Sequence, residues 1–460
     1  MGKQPRASTI PTTMKLILVS NRLPVRVTTG PSGPVIESSD GGLATAVGRA
    51  AKRLKPRWVG YLGDTIGPAA TKTATEHGYF PVSMSLPVYD NYYSGYSNQV
   101  LWPVLHGFDP VSSPGARWGD YVRANESFAT EVARLATPED AIWIHDYHLF
   151  LLPELLRSRG LKNKIGFFLH TPFADDGFFQ GTDQGRRLVK SLLQADTIGV
   201  QTRKSLERVH VVARGVGATV DRLTGSIRYL DRTLRSGTFP IGIDYRQFAR
   251  RTQPAPGFQE RLITKASPPT VLSLSRLDYT KGLPELLDAA SLLARDPSVA
   301  GRFTLRLLVI PSRLSQPEYR SLREHIEQSV RHVNVTCGTA AWQPVEYQYG
   351  FLTGDECIAA YRSAKVFVAA PLADGMNLVA KEYLAANRGG TLVLGRGAGA
   401  AEQLHEAILV NANSPLEIAQ AIKLGLLSPP SAEVKKRLRL SVKTANVYSW
   451  ANDFLTSLRT

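Results

Sequence analysis

The chain has 460 residues, 43% of them apolar and 8% aromatic, an ordinary balance for a globular protein and enough length for two domains with substantial cores. Lysine and arginine (55) outnumber aspartate and glutamate (39), and the formal net charge of +16 favours anionic partners. The basic residues form no long run and accompany no zinc spacing or RNA-binding signature, so nucleic acid is not the expected partner. No apolar stretch approaches the roughly 18 residues of a membrane span, which argues against a membrane partner.

Residues 1–13, rich in Pro, Thr and basic side chains, lack the apolar core of a signal peptide and read as a mobile tail. The apolar run 15–19 ends in Ser20-Asn21-Arg22; this predicts a strand that delivers polar residues to its carboxyl edge, where open parallel sheets place ligands. Beyond Gly42, Leu43, Ala46, Val47, Ala50, Ala51 and Leu54 recur at helical spacing, so Gly41-Gly42 marks a loop entering a helix. Strand-like runs follow at 57–61, 79–86, 141–144, 164–170 and 197–201, with helical periodicity over 118–135, 149–159 and 186–194. The alternation predicts parallel strands with crossover helices. Asp146 and His170 come at the ends of two of these strands and are expected to face one crevice.

Residues 239–244 end this first pattern, and the basic, Pro-containing stretch 250–256 suits a domain boundary. A second pattern predicts strands at 270–274, 304–310, 332–336 and 391–394, and helices over 283–293, 319–331, 355–362 and 416–426. Within it, the apolar run 366–371 leads into Asp374-Gly375-Met376-Asn377-Leu378-Val379-Ala380-Lys381-Glu382. A strand, a turn at Asp374-Gly375 and a helix opening near Asn377 would present unpaired N–H groups and the positive end of the helix dipole to a phosphate. Arg276 and Lys281, after another apolar run, supply two cations for a diphosphate. The last stretch, 436–458, is helical by pattern. Cys337 and Cys357 belong to no metal or redox motif, and a reducing, cytoplasmic setting is the simpler expectation.

Taken in order, the chain carries Ser20-Asn21-Arg22-Leu23-Pro24, Asp40-Gly41-Gly42-Leu43, Leu101-Trp102-Pro103, Ile144-His145-Asp146-Tyr147-His148, Phe168-Leu169-His170-Thr171-Pro172-Phe173, Arg276-Leu277-Asp278-Tyr279-Thr280-Lys281-Gly282 and the Asp374 to Glu382 block. From about Lys15 to the C-terminus it resembles the trehalose-6-phosphate synthases. The resemblance implies an α/β protein of GT-B architecture, two facing Rossmann-like doubly wound domains with the active site in the cleft between them. Its domains would be an acceptor domain over 14–244, completed by the helix at about 445–460, and a donor domain over 245–444.

The implied activity is retaining transfer of glucose from a nucleotide diphosphate glucose to glucose 6-phosphate. UDP-glucose is the expected donor, although the residues leave UDP, ADP and GDP open. Arg276 and Lys281 would neutralise the leaving diphosphate, with backbone N–H groups of Asn377, Leu378 and Val379 on the same phosphates. Gly41, Gly42, Leu352, Gly375 and Met376 would complete the donor site, Glu382 would take the ribose, and Asp374 and His170 would hold the donor sugar. The acceptor set is Arg22, Tyr93, Trp102, Asp146 and Arg313. The resemblance implies no metal and no cofactor, and a homo-oligomer, dimer or tetramer, is expected. A related glucosyltransferase acting on glycerol 3-phosphate, and a noncatalytic sugar-phosphate-sensing subunit, are the alternatives. Thr171, Ala174-Asp175-Asp176 and residues 386–390 depart from the family pattern.

Overall fold

The computed structural model describes residues 15–30, 33–38, 47–50, 53–63, 67–113, 115–174, 177–250 and 268–460. The expected tail and the Gly41-Gly42 loop lie outside them. The chain divides into two compact units, one built from residues up to Ile241 together with Val447–Thr460, the other from Gly242–Asn446.

The first unit is organised by β1 (Lys15–Arg22), whose Leu16, Ile17, Leu18 and Val19 are all buried. Such a run is apolar at every position because parallel strands are covered on both faces. After the hairpin β2 (Val25–Gly30) and β3 (Gly33–Ser38) come β4 (Arg57–Tyr61), β5 (Tyr79–Pro81), β6 (Asp140–His145), β7 (Lys164–Phe168) and β8 (Thr197–Val200). Three further strands, β9 (Thr219–Asp221), β10 (Ser226–Tyr229) and β11 (Arg232–Thr238), close the list. The sheet runs β5-β4-β1-β6-β7-β8-β11-β10-β9. It is parallel through β11, and β10 and β9 then add an antiparallel edge.

The C-terminal helix Val447–Arg459 belongs to this unit. Its Trp450 and Phe454 rings each lie 5.1 Å from Trp143, and 5.1 and 5.5 Å from Phe168. Gly166 on β7 and Gly199 on β8 make room: a Cβ at either would stand 2.7–2.8 Å from Phe454 ring atoms.

The second unit holds six parallel strands, β12 (Thr270–Arg276), β13 (Thr304–Ile310), β14 (Val345–Tyr349), β15 (Ala364–Ala369), β16 (Thr391–Gly395) and β17 (Ile408–Val410). Their order is β14-β13-β12-β15-β16-β17. Counted from β12 this is 3-2-1-4-5-6, the doubly wound Rossmann order.

Three local expectations are corrected. Residues 332–336 form no strand; the helix Pro317–Cys337 continues through them because Val333 extends the buried face begun by Ile326 and Val330, while Val335 points outward, 83% exposed. The strand that follows in the chain is β14. Residues 79–86 are strand only as far as Pro81, since Leu86 opens a helix, Leu86–Asp90, with proline at its start. The single terminal helix is two, Ala432–Thr444 and Val447–Arg459, broken at Ala445-Asn446.

Candidate active site

In the second unit the expected donor residues gather where the sheet order reverses. β12 lies between β13 and β15, and loops beyond the carboxyl ends of strands at such a switch point are where Rossmann sheets bind ligands. Arg276 is the last residue of β12, and Lys281 follows on a short 3-10 turn, Tyr279–Lys281. Gly282 ends that turn at φ 66°, a left-handed conformation that suits glycine. Arg313 follows β13, Leu352 follows β14, and Asp374 follows β15.

The Asp374 turn is firmly built. Oδ1 accepts from the Met376 N–H at 3.3 Å, and Oδ2 accepts from Asn377 Nδ2 at 3.1 Å and Lys281 Nζ at 2.6 Å. Asn377 stands at φ 73° as N-cap of the helix Leu378–Ala386, its side chain accepting from the Ala380 N–H at 3.2 Å. Of the four leading N–H groups that a helix cannot satisfy internally, this leaves those of Asn377, Leu378 and Val379 at the mouth of the turn. Gly375 and Met376 lie within the same turn, and the Met376 carbonyl accepts from Ala400 at 2.7 Å. Glu382, one turn into the helix, accepts from the Tyr361 hydroxyl at 2.8 Å. Its neighbour Lys381 points inward, fully buried against Gln403 at 2.6 Å, and burial holds its ammonium down to about 7.

Asp278, to which the resemblance gives no role, is the most enclosed carboxylate of this region, with no exposed surface. Oδ1 accepts from the Thr280 N–H at 3.0 Å; Oδ2 accepts from Arg313 at 3.1 Å and from the Tyr319 hydroxyl at 3.3 Å. Burial pushes its carboxyl up, but Arg313, Lys281 and Arg276 outweigh it and hold Asp278 below the ordinary aspartate range.

In the first unit β1 is flanked by β4 and β6, so residues after β1 and β6 share an edge. Arg22 lies with its guanidinium carbon 5.9 Å from the Tyr89 ring. Tyr89 stacks on Tyr61 at 3.8 Å and on Tyr93 at 5.5 Å, and Tyr93 stacks on His148 at 5.7 Å. Tyr93 belongs to a π-helix, Asn91–Leu101, which no periodicity announced; such stretches are frequent at functional sites. Trp102, directly after it, is buried 5.9 Å from Tyr147. The chain thus brings Arg22, Tyr93, Trp102 and the Asp146 loop into one aromatic-walled cluster.

Asp146 adopts φ 74°, ψ 167°, and its Oδ1 accepts from the His170 N–H at 3.1 Å. The His170 ring has its own support. The Ile241 N–H donates to Gln201 Oε1 at 2.8 Å, which turns Gln201 Nε2 toward His170 Nδ1 at 3.4 Å. His170 Nδ1 is therefore the acceptor, and Nε2–H donates to His145 Nδ1 at 3.0 Å. Burial holds His145 down to about 3; burial, then His145, hold His170 well below 6.5. Gln201 and His145 carried no expected role, although His145 adjoins Asp146 in the sequence. Among the described residues no group of three or more His, Cys, Asp or Glu side chains is disposed to hold a metal ion.

The second unit supplies two cations and helix-terminal N–H groups, and the first unit an aromatic, carboxylate-bearing cluster. The comparisons agree with that chemistry. The chain is 36% identical to the bifunctional trehalose-6-phosphate synthase/phosphatase of Thermoproteus tenax over 97% of its own length, and it spans 63% of the length of that protein. Among solved structures, it resembles the UDP-forming α,α-trehalose-phosphate synthase of Burkholderia xenovorans in complex with glucose-6-phosphate (TM-score 0.85, 30% identity, 97% of this chain and 100% of that one). An E. coli structure bound with UDP-2-fluoro glucose matches at TM-score 0.85 and 29% identity, covering 97% of this chain and 99% of that one. They bear out the resemblance and the GT-B fold. The model of glycosyltransferase family 20 matches residues 14–460, all the strands and loops just described, and the chain belongs to that family.

Proposed function

We propose that the protein is an α,α-trehalose-phosphate synthase, transferring glucose with retention from UDP-glucose to glucose 6-phosphate. The observation that carries this reading is the meeting of Lys281, Asp374 and the N-terminus of Leu378–Ala386 at the Rossmann switch point. Negative charge grows on the leaving diphosphate as the glycosidic bond breaks, and fixed cations with oriented N–H groups stabilise that charge without reorganising. Arg276 and Lys281 take the diphosphate with the N–H groups of Asn377, Leu378 and Val379. Glu382 takes the ribose, the Leu352 segment borders the base, and Asp374 and His170 border the donor glucose; Gly375 and Met376 let the backbone pass close to it. Gly41 and Gly42 belong to the same donor set by the family resemblance.

Arg22 and Arg313 take the acceptor phosphate, with Tyr93 and Trp102 as the wall and Asp146 on the acceptor hydroxyls. Retention proceeds on the front face in this reading, the leaving phosphate taking the acceptor's proton, so no carboxylate nucleophile and no metal is needed. The glucose-6-phosphate and UDP-2-fluoro glucose named for the two structural relatives support this pairing of substrates.

The free thiols Cys337 and Cys357 support a cytoplasmic setting, and no helix of the described residues is long and apolar enough to cross a membrane. Exposed Leu416, Leu424 and Leu427 on one helix support a homo-oligomer, dimer or tetramer, which light scattering reads directly. The activity is tested by assaying the purified protein against UDP-, ADP- and GDP-glucose with glucose 6-phosphate and glycerol 3-phosphate. Fastest turnover with UDP-glucose and glucose 6-phosphate is expected; preference for glycerol 3-phosphate, or no transfer at all, contradicts the reading.

A further inference from the structure

We infer that Asp278 is a positioning residue that sets the affinity for the acceptor phosphate through Arg313 without touching either substrate. The inference rests on the acceptor role proposed above for Arg313.

Arg313 occupies a conformation it would not adopt unaided. Its φ is 49°, in the left-handed region, a placement that costs a non-glycine residue free energy and persists only when surroundings over-determine it. The surroundings here are a closed triad. Arg313 Nη1 donates to Asp278 Oδ2 at 3.1 Å and to the Tyr319 hydroxyl at 2.5 Å, and that hydroxyl donates onward to the same Oδ2 at 3.3 Å. The Arg313 side chain is 8% exposed and Asp278 has no exposed surface, so the pair is shielded from solvent and little screened. The Tyr319 ring also lies 5.5 Å beneath the guanidinium carbon. A guanidinium held at Nη1 by a carboxylate and a hydroxyl, with an aromatic ring against its plane, is kept in one orientation, which is what recognition of a phosphate by arginine requires.

The same carboxylate reaches the donor loop. Asp278 Oδ1 accepts the Thr280 N–H, its carbonyl accepts the Lys281 N–H at 3.1 Å, and the Thr280 carbonyl accepts the Leu372 N–H at 2.8 Å, two residues before Asp374. Those contacts are to backbone, and a side-chain amide can still accept the Thr280 N–H. The contact with Arg313 differs because it needs the charge. Replacing Asp278 by asparagine therefore loosens Arg313 first and leaves the Lys281 turn largely in place.

The test is calorimetric binding of glucose 6-phosphate and, separately, of UDP to the whole protein carrying Asp278→Asn, Tyr319→Phe, Arg313→Ala and Asp278→Asn/Arg313→Ala. Asp278→Asn is expected to weaken glucose 6-phosphate at least about tenfold and UDP less than about threefold, the scale of losing one charge-assisted hydrogen-bond network. In the Arg313→Ala background the same change should add little, because interacting residues are non-additive. Tyr319→Phe, which keeps the ring and the buried ion pair, should weaken glucose 6-phosphate selectively by a smaller factor, and it serves if Asp278→Asn does not fold. Equal weakening of both ligands, or full additivity of Asp278→Asn with Arg313→Ala, would overturn the positioning role while leaving the enzymatic reading intact. Failure of the wild-type protein to bind glucose 6-phosphate would overturn both.

Discussion

Lys281 Nζ lies 2.6 Å from Asp374 Oδ2, with only 12% and 17% of the two side chains exposed, and this ion pair joins the loops that follow two neighbouring strands, β12 and β15. In the proposed site the lysine would take the donor diphosphate and the aspartate the donor sugar. Joined, they make one preorganised corner in which the cation is aimed by the carboxylate beside it.

Lys281→Ala should therefore do two things. Turnover should fall roughly 10²–10³-fold, the effect of removing one preorganised contact to a developing charge. Stability should also drop by about 1–3 kcal/mol, because Asp374 is left in a largely shielded site without its cation. Steady-state kinetics and urea unfolding read the two effects independently. Retention of most activity would remove Lys281 from the site.

The buried histidine pair predicts a pH dependence. His145 and His170 both have folded-state pKa values depressed below the ordinary 6.5, His145 to about 3. Below pH 6.5 the unfolded chain takes up protons that the folded chain refuses, so their contribution is complete above 6.5 and is lost as pH falls toward 3. Each such imidazole can contribute a slope of up to about 1.4 kcal/mol per pH unit. Unfolding midpoints measured from pH 7 to pH 5 should fall for the wild type, and fall less for His145→Gln. Parallel curves for the two proteins would refute the assignment.

Much of the site's placement was legible because strands announce themselves by apolar runs, and a parallel strand's carboxyl end announces a site. Arg22, Asp146, Arg276 and Asp374 were all read from that rule, and each follows or ends the strand it was read from. The pairing of Lys281 with Asp374 was not legible, since it joins residues 93 apart through a sheet order that sequence order does not give. Asp278 was missed for a related reason: its partners Arg313 and Tyr319 come from beyond β13. Segment 332–336 misled because β-branched valine and threonine suit strands, yet tertiary burial of Val333 on a helical face decided the outcome.

The C-terminal helix offers a test of packing. Phe454 is fully buried against Trp143, Phe168 and Phe239, over glycines on β7 and β8. Phe454→Ala should cost about 3–5 kcal/mol in chemical denaturation, the usual loss for emptying a large aromatic site. Gly199→Ala should also destabilise, because its Cβ would press on the Phe168 and Phe454 rings. A neutral result for both would mean the helix contributes little to the unit it joins.

The central claim is tested most directly by the structure of the product. The cations proposed for the acceptor phosphate would take that of a small triol as well as that of a sugar, but the aromatic wall of Tyr93 and Trp102 around the buried Asp146 loop suits the faces and hydroxyls of a sugar ring, which a short triol does not fill. Proton NMR of the product from UDP-glucose and glucose 6-phosphate should show two α-anomeric environments and no reducing end, the signature of an α,α-1,1 linkage. A β-anomeric signal, or a free reducing end in the product, would contradict the account.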